Sequence, residues 1–197
     1  EAGTPTHEAL PDPRIKTAIA IGPWGRQNGL WDADGLSGIE VPMLFIGGSE
    51  DAVSDYDNGI RKIWEEASAT ERALLTFLGG GHNVAAPIPA PEESFYDSDA
   101  LGFNVSEHYT DAVWDSVFGN NVAQHFATAW LDTLLKGDDA KEVYLDLPEN
   151  GDLGSWAGFA DGASAGLRFE TLSPAVAPAP VPLPGSVWML GLAAAGR

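Results

Sequence analysis

Val41-Pro42-Met43-Leu44-Phe45-Ile46-Gly47-Gly48 and, further along, Ala73-Leu74-Leu75-Thr76-Phe77-Leu78-Gly79-Gly80-Gly81 decide how this chain folds. Each is a short, nearly unbroken apolar run closed by glycines. Such runs, in place of an in-and-out alternation, are what strands covered on both faces look like, as in a parallel sheet. Between them Ile60, Ile63, Trp64 and Ala67 fall at i, i+3, i+4 and i+7, one face of a helix. Ser54 or Asp55 stands where the N-cap belongs, and Asp57, three residues after Ser54, completes a capping-box-like pair. The unit is strand, helix, strand, for which a right-handed parallel crossover is expected.

Working outward, Ile15-Lys16-Thr17-Ala18-Ile19-Ala20-Ile21 reads as a third strand, ended by Gly22-Pro23-Trp24-Gly25. After a proline-rich loop from about Pro87 to Pro91, Val113, Trp114, Val117 and Phe118 share one helical face. Val122, Phe126, Trp130, Leu131, Leu134 and Leu135 share another, with Gly137 as the stop and Gly119-Asn120-Asn121 as a kink or division. Trp156 to Leu172 is weakly patterned and holds one short strand, Leu167-Arg168-Phe169-Glu170. The pattern predicts an α/β fold with a mostly parallel sheet flanked by helices. No internal repeat is visible.

Composition narrows the partners. The chain of 197 residues carries 10 Lys+Arg against 29 Asp+Glu, a formal net charge of −19. Such a surface repels nucleic acid and anionic lipid, both of which are held through clustered Lys and Arg. With 44% hydrophobic residues and seven tryptophans, the chain has the makings of a core and not of an acidic disordered tail. The absence of cysteine excludes a disulfide framework, a thiolate metal site and a cysteine nucleophile.

In an open parallel α/β sheet, functional residues gather on the loops after the C-terminal ends of the strands. Two such loops carry titratable groups: Gly48-Ser49-Glu50-Asp51-Ala52-Val53-Ser54 and Gly79-Gly80-Gly81-His82-Asn83. A carboxylate and a histidine leaving adjacent strand ends can hold an imidazole in one tautomer while its other nitrogen works as a base. Taken singly, His82 is a histidine in a surface loop, and Asp51 shares its neighbourhood with Glu50, Asp55 and Asp57, which can cap a helix. Their order and their strand-end positions make them a candidate catalytic pair. Trp24, after the first strand, is open to two roles, a wall of a substrate pocket or a core side chain. His125, between Val122 and Phe126 on the apolar helix, reads as a core histidine. His82, His108 and His125 show no helical i, i+3 or i+4 spacing and no HExxH occurs, so neither a metal nor another cofactor is expected.

Three stretches together are similar to the later half of an α/β-hydrolase: Asp12-Pro13-Arg14-Ile15-Lys16 with its strand, Val41 to Asp51, and Leu78-Gly79-Gly80-Gly81-His82-Asn83. More narrowly they resemble the bacterial dienelactone-hydrolase-like group, whose final helix Asn120 to Leu131 with Leu135-Lys136-Gly137-Asp138 also resembles. The likeness runs from about Asp12 to about Glu170. It implies that residues 1–172 are the C-terminal portion of such a domain and that a Ser–Asp–His triad hydrolyses a small carboxylic ester or lactone through an acyl-enzyme. In that triad Asp51 matches the acid and His82 the base. The serine of such enzymes precedes acid and histidine in a GxSxG elbow. The one literal match, Gly162-Ala163-Ser164-Ala165-Gly166, follows His82 with no apolar strand before it, and Ser164 is rejected. The nucleophile is therefore expected upstream of Glu1. No methionine begins the chain, and Glu1-Ala2-Gly3-Thr4-Pro5 has neither a basic start nor an apolar run, as processing or truncation would leave it. Two alternatives are a non-catalytic module of the same fold and an exported matrix scaffold.

Five of the prolines lie between Pro174 and Pro184, making residues 173–184 an extended linker. Residues 185–197 are apolar up to Arg197 and shorter than the roughly 20 residues a membrane helix needs. Val181-Pro182-Leu183-Pro184 with Val187 to Ala195 resembles the C-terminal sorting segment of exosortase-processed proteins. That resemblance implies export to the surface of a Gram-negative bacterium and processing of the tail.

Overall fold

The structure, a computed structural model, describes residues 4–5, 11–86, 90–97, 99–147 and 156–175. Four strands, β1 (Ala18–Ile21), β2 (Met43–Gly48), β3 (Arg72–Phe77) and β4 (Leu167–Leu172), form one sheet in that order. β1, β2 and β3 are mutually parallel, with Ile21 opposite Ile46 and Gly48 opposite Phe77. β4 returns antiparallel along β3, with Leu167 opposite Phe77 and Leu172 opposite Arg72. The chain is thus an α/β protein with a mixed, mostly parallel sheet. The short strand foreseen at Leu167 is real and is the one antiparallel member.

Both faces of the sheet are covered, which is why its central strands are apolar throughout. Leu44 and Ile46 of β2 and Ala73, Leu75 and Phe77 of β3 turn to one side, where α3 (Ser116–Lys136) lies on them through Val122, Phe126 and Trp130. Phe45 and Leu74 turn to the other, against Leu36 of α1 (Ala33–Ser37) and Ile63 and Trp64 of α2 (Arg61–Glu66). Alternate residues pointing to opposite faces, with apolar partners on both, give the unbroken runs. β1 departs from the expectation. It begins at Ala18 and not Ile15, and Ile21 is 50% exposed, because β1 is an edge strand with one neighbour among the described residues.

The helical readings need two corrections. Of the two cap candidates Ser54 is the one to discard, with its capping-box pairing to Asp57; its hydroxyl donates to the Gly22 carbonyl at 2.8 Å. Asp55, at φ +55°, the other candidate, is the cap and accepts from the Asn58 N–H at 3.0 Å, after which a single π-type turn over Tyr56–Ile60 leads into α2. Second, α3 starts only at Ser116, capped by Asp115, so Val113 and Trp114 precede it; Val113 and, within the helix, Val117 are exposed, while Trp114 and Phe118 pack on the core. Gly119-Asn120-Asn121 does not divide it, Ser116–Lys136 being one continuous helix: a Cβ at Gly119 would stand 2.2 Å from the Val84 carbonyl oxygen, so glycine there lets the helix close onto the loop after β3. Gly137, at φ +66°, ends α3 as expected.

Buried polar groups hold the layers in register. Arg72 is almost fully enclosed, and its guanidinium donates to the Trp64, Thr70, Glu65 and Ser173 carbonyls, so the last turn of α2 is capped by a cation. Arg61 of α2 makes a two-pronged pair with Glu170 of β4, at 2.9 and 3.0 Å. That guanidinium holds the Glu170 carboxyl below the usual carboxylate range. Trp130 donates to the Thr17 hydroxyl at 2.8 Å, which donates onward to the Pro42 carbonyl and ties α3 to the sheet. The linker and tail readings from residue 176 onward lie outside the described residues. Among those that are described, no helix is long and apolar enough to cross a membrane.

Candidate active site

Because β1, β2 and β3 are parallel and in register, all three release their chains at the same edge of the sheet. The loops after β2 and β3 there pass against one another, backbone on backbone. A Cβ on Gly48 would sit 2.1 Å from the Gly80 carbonyl oxygen, which no side chain tolerates. With glycine in place, Ser49 N–H donates to the Phe77 carbonyl (2.9 Å), Glu50 N–H to the Gly80 carbonyl (2.8 Å) and Gly79 N–H to the Ser49 hydroxyl (2.8 Å). This weave sets Asp51 beside His82.

Asp51 and His82, the two residues expected to form the site, meet at 2.9 Å between Oδ2 and Nδ1. The other carboxylate oxygen accepts from the Val53 and Ser54 N–H groups at 2.9 and 2.8 Å. The Asp51 side chain is 1% exposed and that of His82 is 39% exposed. A carboxylate can only accept, so Nδ1 carries the proton and the neutral ring keeps its lone pair on Nε2. Among the described residues nothing hydrogen-bonds to Nε2. An enclosed acid with every near donor satisfied, orienting an imidazole whose other nitrogen is open, is the arrangement of a general base.

Three further residues build the site: Gly22 and Ser54, which the sequence reading marks only as a strand end and a cap candidate, and Asp111, which it does not mark at all. Gly22, at the end of β1 with φ +55°, has no side chain where one would come within 3.3 Å of His82 Cε1 and 3.7 Å of Asp51 Oδ2. Ser54 holds it there through the hydroxyl bond noted above. Asp111 accepts from the Gly81 N–H at 2.6 Å through one oxygen, and from the Val113 and Trp114 N–H groups through the other. It thereby fastens the histidine loop to the entrance of α3. The local signal for Asp111 was an Asp-x-x-Trp turn just before a helix; unlike Asp51 and His82, it does not follow a strand of the parallel sheet, so no strand order brings it to Gly81.

The remaining candidates separate clearly. Trp24 is 51% exposed and so is not a core residue; its carbonyl accepts from the Trp31 indole N–H at 2.9 Å. Ser164 is wholly buried in the turn before β4, and its hydroxyl has no partner among the described residues. A serine shut in this way and feeding an antiparallel strand is not an elbow nucleophile. His125 is a half-buried histidine of α3 whose Nε2–H donates to the Tyr144 carbonyl at 2.9 Å, and burial lowers its pKa. Among the described residues no group of three or more His, Asp or Glu is arranged around a metal position. A groove of about 770 Å³ lined by Trp130, Leu134, Leu145 and Phe169 also includes Glu71, just before β3, and so lies toward the opposite end of the sheet from His82. Comparison with models of known protein families gives no match, and no curated protein sequence is significantly similar to this chain.

Proposed function

We propose that this chain carries the acid and the base of a serine hydrolase of the α/β-hydrolase type, acting on carboxylic esters or lactones. The observation that supports this reading best is the Asp51–His82 bond across the ends of two adjacent parallel strands, with Nε2 left open. In the reaction a serine outside the described residues attacks the substrate carbonyl as Nε2 takes its proton. The imidazolium so formed is stabilised by Asp51 and returns the proton to the departing alkoxide. Water, deprotonated by the same Nε2, then releases the acid and frees the serine. Trp24 serves as a wall of the substrate pocket in this scheme, and no cofactor takes part. The proline-rich tail belongs to the same proposal as an export and sorting element.

The test uses the complete gene product. Labelling by a fluorophosphonate probe, together with ester hydrolysis that His82→Ala abolishes, supports the assignment. Near-normal hydrolysis by the His82→Ala variant refutes it. The open Nε2 also favours a second reading, a non-catalytic module of the same fold that binds a hydroxylic ligand. Absence of probe labelling in the complete protein, with ligand binding retained, selects that reading.

A further inference from the structure

Four successive residues of the histidine loop are each hydrogen-bonded to a different acidic residue. Gly80 O accepts from Glu50 N–H, Gly81 N–H donates to Asp111, His82 Nδ1 to Asp51, and Asn83 Nδ2 to the Glu107 carbonyl at 2.8 Å. The Glu50 and Glu107 residues are solvent-exposed. No Lys or Arg occurs between Arg72 and Lys136, while residues 78–115 contribute Glu92, Glu93, Asp97, Asp99, Glu107, Asp111 and Asp115. The one cation in the loop after β1, Arg26, is spent on Glu66 in a two-pronged pair at 2.6 and 2.9 Å. Arg61 and Arg168 share Glu170, and Lys16 precedes β1 at the other end of the sheet. The histidine loop is thus bonded to four acidic residues, Asp97 and Asp99 line a groove with one of them, Glu107, and no free cation stands beside the loop among the described residues.

We infer that the His82 site selects substrates by charge, taking uncharged and cationic esters and turning away those that carry a carboxylate. The inference deepens the hydrolase reading and rests on His82 as its base. An anion approaching Nε2 meets the summed field of several carboxylates in a region whose guanidinium groups, Arg26 and Arg168, are each already paired with a carboxylate of their own. A cation is drawn in by the same field, and half-exposed Trp24 and Trp31 stand on the neighbouring loop as aromatic faces able to receive it. Because the charges are at the surface, the selectivity is set by ionic strength and fades as salt rises.

The first experiment needs no nucleophilic serine and can be run on this chain. Alkylation of His82 is followed by peptide mass spectrometry with three reagents of similar size: bromoacetate, bromoacetamide and (2-bromoethyl)trimethylammonium. In each the Nε2 lone pair displaces bromide from carbon, and rates are normalised to those of N-acetylhistidine. The expected result at about 10 mM salt is a roughly tenfold deficit for bromoacetate relative to bromoacetamide, closing to within about twofold at about 0.5 M. Glu50→Gln with Glu107→Gln is expected to narrow the deficit by about threefold. A normalised bromoacetate rate equal to or above that of bromoacetamide at low salt overturns the inference. The second experiment compares nitrophenyl esters of butyrate, hemiglutarate and trimethylammoniobutyrate with the complete protein, where the hemiglutarate is expected to show the lowest kcat/KM by about tenfold at low salt. Charge discrimination in alkylation without hydrolysis of any ester removes the hydrolase reading alone; hydrolysis of all three esters at equal rates removes the charge selectivity alone.

Discussion

His82 and His125 are chemically the same residue in two regions built on opposite plans. His82 stands where three parallel strands end, in a loop held almost entirely by backbone hydrogen bonds and carboxylates, with one nitrogen on Asp51 and the other open. His125 sits on α3 amid rings: Phe126, Tyr144, Trp156 and Phe159 have centroids 4.8 to 5.8 Å from its own, all near-perpendicular. Trp156 and Phe159 are themselves stacked at 4.2 Å. A charged partner and an open nitrogen make an imidazole useful for proton transfer. A carbonyl partner and aromatic walls make one a fastener, which here ties α3 to the turn at Tyr144.

The contrast is broken most sharply by deleting each ring. In the complete protein His82→Ala should lower kcat/KM for a neutral ester by about 10³-fold or more, while His125→Ala changes it by less than about threefold and lowers the melting temperature instead. Steady-state kinetics beside thermal denaturation separates the two. Next in size is Trp156→Ala, which empties a fully buried ring from the aromatic region; urea unfolding should show a loss of about 3–5 kcal/mol. Gly48→Ala probes the other region. Its Cβ has nowhere to go without parting the loops after β2 and β3, so a loss of about 1–3 kcal/mol should accompany disappearance of the His82–Asp51 proton signal in NMR spectra.

Acidity sharpens the comparison further. Burial lowers the folded-state pKa of His125, so the neutral ring is the form the fold prefers. Its contribution to stability is present in full above the ordinary value of 6.5 and is lost as pH falls from there through the lowered folded value. Melting temperatures between about pH 7.5 and pH 5 should therefore fall less steeply for His125→Gln than for the unaltered protein. Glu170, held low by Arg61, follows the same sign in a more acidic window, its contribution being lost as pH drops below 4.5. The smallest effect is expected at Ser164, whose buried hydroxyl has no partner: Ser164→Ala should change stability by less than about 1 kcal/mol and leave activity intact.

The two regions were also unequally legible beforehand. The strand-end pair could be read because it depends on local patterns, an apolar run, a glycine turn and a polar residue behind it. The aromatic region was only half visible. The face of α3 that carries Val122, Phe126 and Trp130 follows from helical spacing, whereas Trp156 and Phe159 come from a weakly patterned segment whose place is set by α3 and β4. The misplaced start of α3 has a related cause. Val113 and Trp114 fit a helical period with Val117 and Phe118, yet their N–H groups are taken by Asp111, which turns the chain toward Gly81, and the helix starts only after the next cap, Asp115.

The parallel β2–α2–β3 unit, the covered sheet, the apolar face of α3 with its glycine stop, and the pairing of Asp51 with His82 can all be read from the residues in order. Each of these rests on local periodicity or on the order of strands in a parallel unit, which brings the loops after β2 and β3 to the same edge of the sheet. That Ser54 buttresses Gly22, that Asp111 anchors the histidine loop, that Gly48 and Gly119 are points of backbone contact, and that Trp24 is exposed emerges only once the chain is folded. Those depend on which segments meet in space. The physical reason is that hydrogen-bond partners and steric clearances are set by packing across long sequence separations, where no periodic signal survives.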